Sequence, residues 1–224
     1  MSEHVKLRAS DGHELDAYVA RLQGKPVAGL VVIQEAFGVN SHIRSVADGF
    51  AEDGFLAVAP ALFDRSQRGV ELGYTPEDLQ KGMAFARLGT TEDKVKDVAA
   101  AIDYARQTGK KVGVIGYCLG GSIAWLSAAR LHPDAVVAYY GGQILNFSDE
   151  KPNAPIILHF GLEDTHIPKA TVDEKVAARY PEIPIYWYQA GHGFNTSDRA
   201  SYNPEAAKLA RERSLAFLRQ HLTD

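Results

Sequence analysis

Short apolar runs alternate with amphipathic helical patterns along most of the chain, and this alternation restricts the fold more than any other feature. The segment Val27–Gln34 is a nearly continuous apolar run rich in valine, which is typical of a strand buried on both faces of a sheet. Similar runs, each bounded by Gly, Pro or a polar turn, cover Phe55–Ala59, Lys111–Tyr117, Ala135–Tyr140, Pro155–Phe160 and Ile183–Tyr188. Helical patterns fall at Ser41–Glu52, Thr91–Arg106, Leu119–Leu131, Pro168–Tyr180 and Pro204–His221.

The beginning of the chain adds two further strands. His4–Ala9 and Glu14–Ala20 flank an Asp11-Gly12 step, which is a hairpin turn signal. We therefore predict an α/β fold with a mostly parallel central sheet of about eight strands and helices on both faces. We expect a single domain over residues 1–224, because no linker or internal repeat divides the chain.

Helix starts are predicted at two places, and an apolar face is predicted in the last helix. Ser41 is a plausible N-cap for the first helix, and Thr75 followed by Pro76 is typical of a second helix start. In the last helix Leu209 falls within the apolar stripe that is expected to pack on the sheet.

One strand–turn–helix junction carries the strongest chemical signal. Gly116-Tyr117-Cys118-Leu119-Gly120 follows the strand Val112–Gly116 and has the spacing of a nucleophile elbow, with cysteine where serine is usual. The two glycines fit because larger side chains would collide in the sharp turn. The helix N-terminus favours a Cys118 thiolate, and the Leu119 N–H can form half of an oxyanion hole. The alternative is an inert core cysteine before a tightly packed helix.

A nucleophile elbow predicts an acid and then a histidine further along the chain. Asp164 and His192 each lie just past the carboxyl end of an apolar run, where open α/β sheets place their sites. We predict Asp164 as the acid and His192 as the base. Glu163 is interpreted as a solvated loop residue and His159 as a core histidine, while the nearby His166 is expected to cap or pair locally.

Glu35 directly follows the buried strand that ends near Gln34. A carboxylate leaving a buried strand is unfavourable unless it is paired or functional; the alternative is a helix-capping or surface carboxylate. The backbone N–H of Ala36 is positioned to be the second oxyanion donor.

Composition excludes several classes of protein. A formal net charge of −4 gives no overall electrostatic footprint for nucleic acid or for an anionic membrane. The single cysteine excludes an intrachain disulfide, and the N-terminus lacks a secretion signal. We therefore expect a cytoplasmic protein that contacts neither membrane nor nucleic acid. The histidines have no zinc-like spacing, so no metal site is predicted.

Four motifs together resemble the dienelactone hydrolase family, whose members are carboxymethylenebutenolidase-like enzymes with the α/β-hydrolase fold. They are QEAFGVN (residues 34–40), GYCLGGS (residues 116–122), the Asp164 loop and GHGF (residues 191–194). DGHELDAYVA near the start, PALF at 60–63 and YYGG at 139–142 extend the resemblance over nearly the whole chain.

The resemblance implies roles for the candidate residues. Cys118 would be the nucleophile, His192 the general base and acid, and Asp164 the group that orients the histidine. Glu35 would contact the thiol and help deprotonate it when substrate arrives. The N–H groups of Ala36 and Leu119 would hold the oxyanion, and neither a metal nor an organic cofactor would be needed.

The sequence departs from the family at the two arginines that grip the substrate carboxylate in well-characterised members. Four positions after His192 this chain has Thr196, and the helical stretch after Thr75 offers Lys81 in place of arginine. Lys81 keeps the charge without the bidentate fork of arginine. Lys81 and Arg199 are the candidate substrate-binding residues, and the alternative for both is a solvated surface charge.

The predicted function is cysteine-dependent hydrolysis of a lactone or carboxylic ester through a thioester acyl-enzyme. Repulsion from Glu35 is expected to keep the resting Cys118 mainly as a thiol. The alternatives are a catalytically silent binding protein with the same fold and a single-thiol redox sensor. A small-molecule substrate is the only partner expected, and the protein is expected to be a monomer or a small homo-oligomer.

Overall fold

A central sheet of eight strands organises the computed structural model, which describes residues 1–223. The strands are β1 (Ser2–Arg8), β2 (Glu14–Ala20), β3 (Gly29–Ile33), β4 (Leu56–Pro60), β5 (Val112–Tyr117), β6 (Ala135–Tyr139), β7 (Ile156–Gly161) and β8 (Ile185–Tyr188). Their spatial order is β1-β2-β4-β3-β5-β6-β7-β8. The β1–β2 and β2–β4 pairs are antiparallel, and every other neighbouring pair is parallel. The mostly parallel sheet predicted from the sequence is confirmed.

Six α-helices accompany the sheet in the described part of the chain. They are α1 (Ser41–Glu52), α2 (Pro76–Arg87), α3 (Thr91–Arg106), α4 (Leu119–Arg130), α5 (Lys169–Val172) and α6 (Pro204–Leu222). On β5, a side chain at Gly113 would meet α6, whereas one at Gly116 would meet the start of α4. Residues three apart on a strand point to opposite faces, so helices cover both faces as predicted.

The central strands are completely buried, which explains their unbroken apolar composition. All residues of β3, β4, β5, β6 and β7 are buried. Parallel strands covered by helices on both faces require this composition. The carboxyl ends of β3, β5, β7 and β8 lead into the segments that carry the candidate site residues.

Several predicted local features change in the structure. Asn40, not Ser41, caps α1, because its extended backbone lets its side chain accept a hydrogen bond from the Ile43 N–H (3.2 Å). The helix predicted over Pro168–Tyr180 is α-helical only in α5 and continues as a π turn at Asp173–Ala177. Leu209 is 42% exposed, so the buried face of α6 is narrower than the sequence predicts.

The predicted start of α2 is confirmed. The Thr75 side chain accepts from the Asp78 N–H, the Asp78 side chain accepts from the Thr75 N–H, and Pro76 occupies the first turn. This reciprocal capping satisfies donors that the helix itself leaves unpaired.

Candidate active site

The turn between β5 and α4 holds Cys118 in a strained conformation. Its φ is 54° and its ψ is −111°, which a residue other than glycine rarely adopts. A Cβ added at Gly116 would lie 2.0 Å from the Gly120 carbonyl oxygen, and one added at Gly120 would lie 2.4 Å from the Ile33 oxygen. Both glycines are therefore required by backbone crowding, as the motif predicts. The Cys118 N–H donates to the Tyr139 carbonyl at 3.0 Å, which fixes the turn to β6.

Asp164, His192 and Cys118 form a continuous chain of contacts. The Asp164 Oδ2 atom lies 2.7 Å from His192 Nδ1, and His192 Nε2 lies 3.2 Å from Cys118 Sγ. Asp164 is buried in the loop after β7, and the His166 N–H also donates to it at 2.9 Å. His192 follows β8 and Cys118 is partly exposed. The structure therefore brings together the three residues predicted from the elbow and from chain order.

The electrostatics of the site favour an ion pair between Asp164 and His192. Burial opposes the charged imidazolium, but the negative charge of Cys118 and the hydrogen bonds to Asp164 and Cys118 together raise the pKa of His192 to about 10. Burial would also raise the pKa of Asp164, yet its hydrogen bond and proximity to His192 lower that pKa. His192 Nε2 lies within hydrogen-bond reach of Sγ, so the imidazole can exchange a proton with the group whose thiolate form is the nucleophile.

The segment after β3 is attached to the elbow by a backbone hydrogen bond and to the loop after β4 by a side-chain hydrogen bond. The Gly120 N–H donates to the Gln34 carbonyl at 3.0 Å, and Gln34 Oε1 accepts from the Leu62 N–H at 3.0 Å. Among the described residues, neither the Ala36 N–H nor the Leu119 N–H has a hydrogen-bond acceptor. Two unpaired donors near a nucleophile suit an oxyanion hole.

Glu35 is buried in this segment and has two neighbours that the sequence did not predict as its partners. Its exposed fraction is 1%, its Oε2 accepts from Thr196 Oγ1 at 3.2 Å, and its Oε1 lies 3.7 Å from Arg199 Nη1. No hydrogen bond joins Glu35 to Cys118 within residues 1–223. The nearby Arg199 guanidinium therefore partly compensates the buried negative charge of Glu35.

The two candidate substrate-binding residues differ in position. The Arg199 side chain is only 18% exposed and lies over the Phe37 ring at 5.6 Å, so it belongs to the site. Lys81 is exposed on α2, beside Gly82, which packs against the Ala36 carbonyl. Lys81 forms no ion pair with any residue in the described range.

Two of the competing residues around Asp164, His159 and Glu163, behave as expected. His159 is a buried core histidine that contacts the Tyr188 hydroxyl at 2.8 Å and Ser214 Oγ at 3.1 Å. Glu163 is exposed and accepts from Gln189. The exposed His166 ring lies 6.1 Å from the His192 ring, nearly perpendicular to it.

Tyr140 is a site residue that sequence reasoning missed. Its ring centroid lies 5.0 Å from that of His192, and its backbone φ is 36°. The only sequence signal is the Tyr-Tyr-Gly-Gly stretch at 139–142, which does not reveal an unusual backbone angle.

The described residues contain neither a candidate metal-binding cluster nor a helix able to span a membrane. In residues 1–223 no group of three or more His, Cys, Asp or Glu side chains is arranged to hold a metal ion. Over the same residues, none of the helices combines the length and apolar character that crossing a membrane requires.

Comparisons with known proteins point to one family. The model of the dienelactone hydrolase family matches residues 15–222. A carboxymethylenebutenolidase from Pseudomonas putida is 34% identical over 230 residues, covering 97% of this chain and 96% of the relative. A crystal structure from Klebsiella pneumoniae, provisionally assigned as a dienelactone hydrolase, matches with a TM-score of 0.83 and 29% identity, covering 98% of this chain and 99% of that one. An α/β serine hydrolase without a lid from Xanthomonas campestris, 15% identical with a TM-score of 0.69, covers 99% of this chain and 95% of that one and supports the fold alone.

Proposed function

This chain belongs to the dienelactone hydrolase family, and from that premise we propose that it hydrolyses a lactone or carboxylic ester through a thioester on Cys118. The contacts from Asp164 through His192 to Cys118, at 2.7 and 3.2 Å, are the observation that supports this proposal most strongly. They provide a nucleophile, a proton carrier and an orienting carboxylate in hydrogen-bond reach of one another.

The reaction has two halves. In the first, the Cys118 thiolate attacks the carbonyl carbon, and the N–H groups of Ala36 and Leu119 stabilise the oxyanion. The carbon–oxygen bond then breaks as His192 Nε2 gives its proton to the departing oxygen, which in a lactone stays attached to the acyl chain. In the second half His192 takes a proton from water, the resulting hydroxide attacks the thioester, and the thiolate leaves.

Arg199 is the residue proposed to bind a carboxylate on the substrate. Its guanidinium lies 3.7 Å from Glu35 Oε1, too far for a hydrogen bond, so its bidentate donors stay available for a second anion. A substrate carboxylate that draws Arg199 away would free Glu35 to act near the thiol. Lys81 on α2 is the second candidate for the same anion. The name of the P. putida relative supports testing a carboxymethylene-substituted butenolide first.

The experiment compares hydrolysis of that butenolide with hydrolysis of neutral p-nitrophenyl acetate. We expect Arg199→Gln to raise KM for the butenolide by about 10-fold or more, as expected for loss of a charged hydrogen-bonded contact, and to leave KM for the acetate unchanged. Lys81→Gln tests the second cation in the same way. An equal effect of Arg199→Gln on both substrates would contradict carboxylate recognition.

Acid-quenched protein from a turnover with p-nitrophenyl acetate tests the covalent step. We expect an acetyl adduct on the single cysteine that neutral hydroxylamine removes, because thioesters are labile to this reagent. Rapid ester hydrolysis with an adduct on any other residue would contradict the proposal, and absence of any hydrolysis would favour a binding protein or a thiol sensor.

A further inference from the structure

Tyr140 carries a buried hydroxyl group that makes no hydrogen bond of normal geometry with any described residue. The side chain is fully buried, and the backbone holds a φ of 36° while its N–H donates to the His159 carbonyl at 2.8 Å. An unpaired buried hydroxyl and a strained backbone both reduce stability, and such features concentrate at functional sites. Two of them at one residue next to His192 call for a functional explanation.

The surroundings of Tyr140 fix where its hydroxyl group lies. The ring packs against His192 at 5.0 Å and edge-on to Phe194 at 5.4 Å. The hydroxyl end lies beside Thr196, whose own hydroxyl donates to Glu35 Oε2. Burial, followed by the negative charge of Glu35, raises the pKa of Tyr140 well above its ordinary value. Tyr140 is therefore a neutral donor close to the Glu35 carboxylate.

Glu35 has a matching unpaired acceptor. Its Oε1 atom is buried and has no hydrogen-bond partner in residues 1–223, and the Arg199 guanidinium 3.7 Å away compensates its charge only by proximity. Thr196 thus lies between an unpaired donor and an unpaired acceptor. A buried carboxylate that lost Arg199 would retain a single hydrogen bond, which is an unfavourable state for a buried charge.

We propose that Tyr140 is a positioning residue for Glu35, whose Oε1 accepts a hydrogen bond from the Tyr140 hydroxyl once Arg199 turns to the carboxylate of a bound substrate. This inference rests on the proposed role of Arg199. In the resting protein Arg199 compensates the charge of Glu35, and the Tyr140 hydroxyl makes no hydrogen bond to the carboxylate. Its contribution is realised only in the substrate complex, so it raises turnover and not the stability of the free protein.

Tyr140→Phe removes only the hydroxyl group and is the central variant. We expect an unchanged or higher Tm, because no hydrogen bond is lost. The kcat for the carboxymethylene-substituted butenolide should fall by about 10- to 100-fold, the range for a hydrogen bond to a charged group. The kcat for p-nitrophenyl acetate should fall much less, because a neutral ester leaves Arg199 on Glu35.

Tyr180→Phe is the matched control. The Tyr180 hydroxyl is also buried, but it donates to the Ser148 carbonyl at 2.8 Å, away from the candidate active site. This variant should lower Tm and leave both activities unchanged, the reverse of Tyr140→Phe. If Tyr140→Phe lowers Tm and reduces both activities equally, or changes neither activity, the proposal is overturned.

A double variant separates this proposal from the role of Arg199. In an Arg199→Gln protein, Glu35 lacks its cation permanently, so adding Tyr140→Phe should now reduce acetate hydrolysis by about 10-fold or more. If Arg199→Gln alone fails to change butenolide KM, the proposed carboxylate recognition fails, yet acetate hydrolysis by the double variant still decides the role of Tyr140. Additive effects of the two substitutions on acetate hydrolysis would overturn the proposed role of Tyr140.

Discussion

Gly82→Ala is a perturbation whose consequence can be worked out from distances in the structure. A Cβ at Gly82 would lie 2.1 Å from the carbonyl oxygen of Ala36, the proposed oxyanion residue. Real Cβ atoms essentially never approach closer than 3.0 Å, so one side of the contact must move by about 1 Å. Either α2 shifts outward or the Ala36 peptide shifts inward, and the two movements have different effects on catalysis.

The better-anchored side should stay in place. The Ala36 segment is held by hydrogen bonds from Gly120 to the Gln34 carbonyl and from Leu62 to the Gln34 side chain, both at 3.0 Å. Within α2, all of which the structure describes, Gly82 is the only buried residue. We therefore expect α2 to move and the oxyanion hole to keep its geometry.

The stability change should be small because two contributions oppose each other. Alanine in place of glycine favours a helix by about 1 kcal/mol, whereas overpacking costs about 1–3 kcal/mol. The net loss of about 0–2 kcal/mol corresponds to a decrease in Tm of less than about 8 °C for a chain of this size. Loss of one oxyanion donor would instead cost about 100- to 1,000-fold in kcat.

The assay is p-nitrophenyl acetate hydrolysis together with thermal unfolding. We expect kcat for Gly82→Ala within about threefold of the starting value, well short of a lost oxyanion donor. Gly49→Ala in α1 is the control, because its added Cβ would lie 3.5 Å from Arg211 Nη2 and needs no movement. A 100-fold loss of kcat in Gly82→Ala at unchanged Tm would refute the reasoning, since it would mean that the Ala36 peptide had moved.

Two further predictions concern the titratable groups. His192→Ala should reduce kcat by about 10⁶-fold and Asp164→Asn by about 10³- to 10⁴-fold, because the imidazole transfers protons whereas the carboxylate orients it. Steady-state hydrolysis is the assay. If Glu163→Gln reduces kcat and Asp164→Asn does not, Asp164 is not the acid of the triad. Burial, and then the charge of Arg213, lowers the pKa of His159 from 6.5 to about 3, so between these values the unfolded chain binds more protons and stability decreases as pH falls. His159→Phe should have a lower Tm at neutral pH but a weaker decrease of Tm on acidification through this window, and parallel Tm–pH curves for the two proteins would contradict this.

The elbow and the two downstream residues could be predicted because each depends on local or topological rules. Gly116 and Gly120 report backbone crowding that the structure confirms. Asp164 and His192 follow consecutive parallel strands, and the carboxyl ends of such strands meet at one edge of the sheet. The parallel strand arrangement and the chain order were therefore sufficient to predict that Asp164 and His192 lie close to Cys118.

The surroundings of Glu35 could not be predicted in the same way. Thr196 and Arg199 contact this carboxylate because of the path of the loop after β8, and Tyr140 lies beside Thr196 after a backbone turn with positive φ that follows β6. Loops lack the regular spacing of apolar residues that predicts the orientation of helices and strands, so their paths cannot be predicted from the sequence pattern. For Lys81, which lies on α2, the sequence left a substrate contact and a solvated surface charge open, and the structure shows an exposed side chain.

Helix details failed where competing signals were of similar strength. Asn40 and Ser41 are both good N-caps, and only the extended backbone of Asn40 decides between them. Leu209 was predicted to face the sheet because it fits the helical spacing of the neighbouring apolar residues, but spacing does not define how wide the buried face of a helix is. The change from α5 to a π turn adds one residue per hydrogen-bonded turn, which sequence periodicity does not reveal.

Hydrolysis of p-nitrophenyl acetate by a folded Cys118→Ala protein tests the proposed nucleophile most directly. Because Cys118 is the only cysteine in the chain, this substitution removes every route through a thioester. We expect unchanged circular dichroism and a loss of turnover of about 10⁶-fold, the scale seen when a catalytic nucleophile is removed. Turnover within tenfold of the original protein would contradict a covalent mechanism on Cys118.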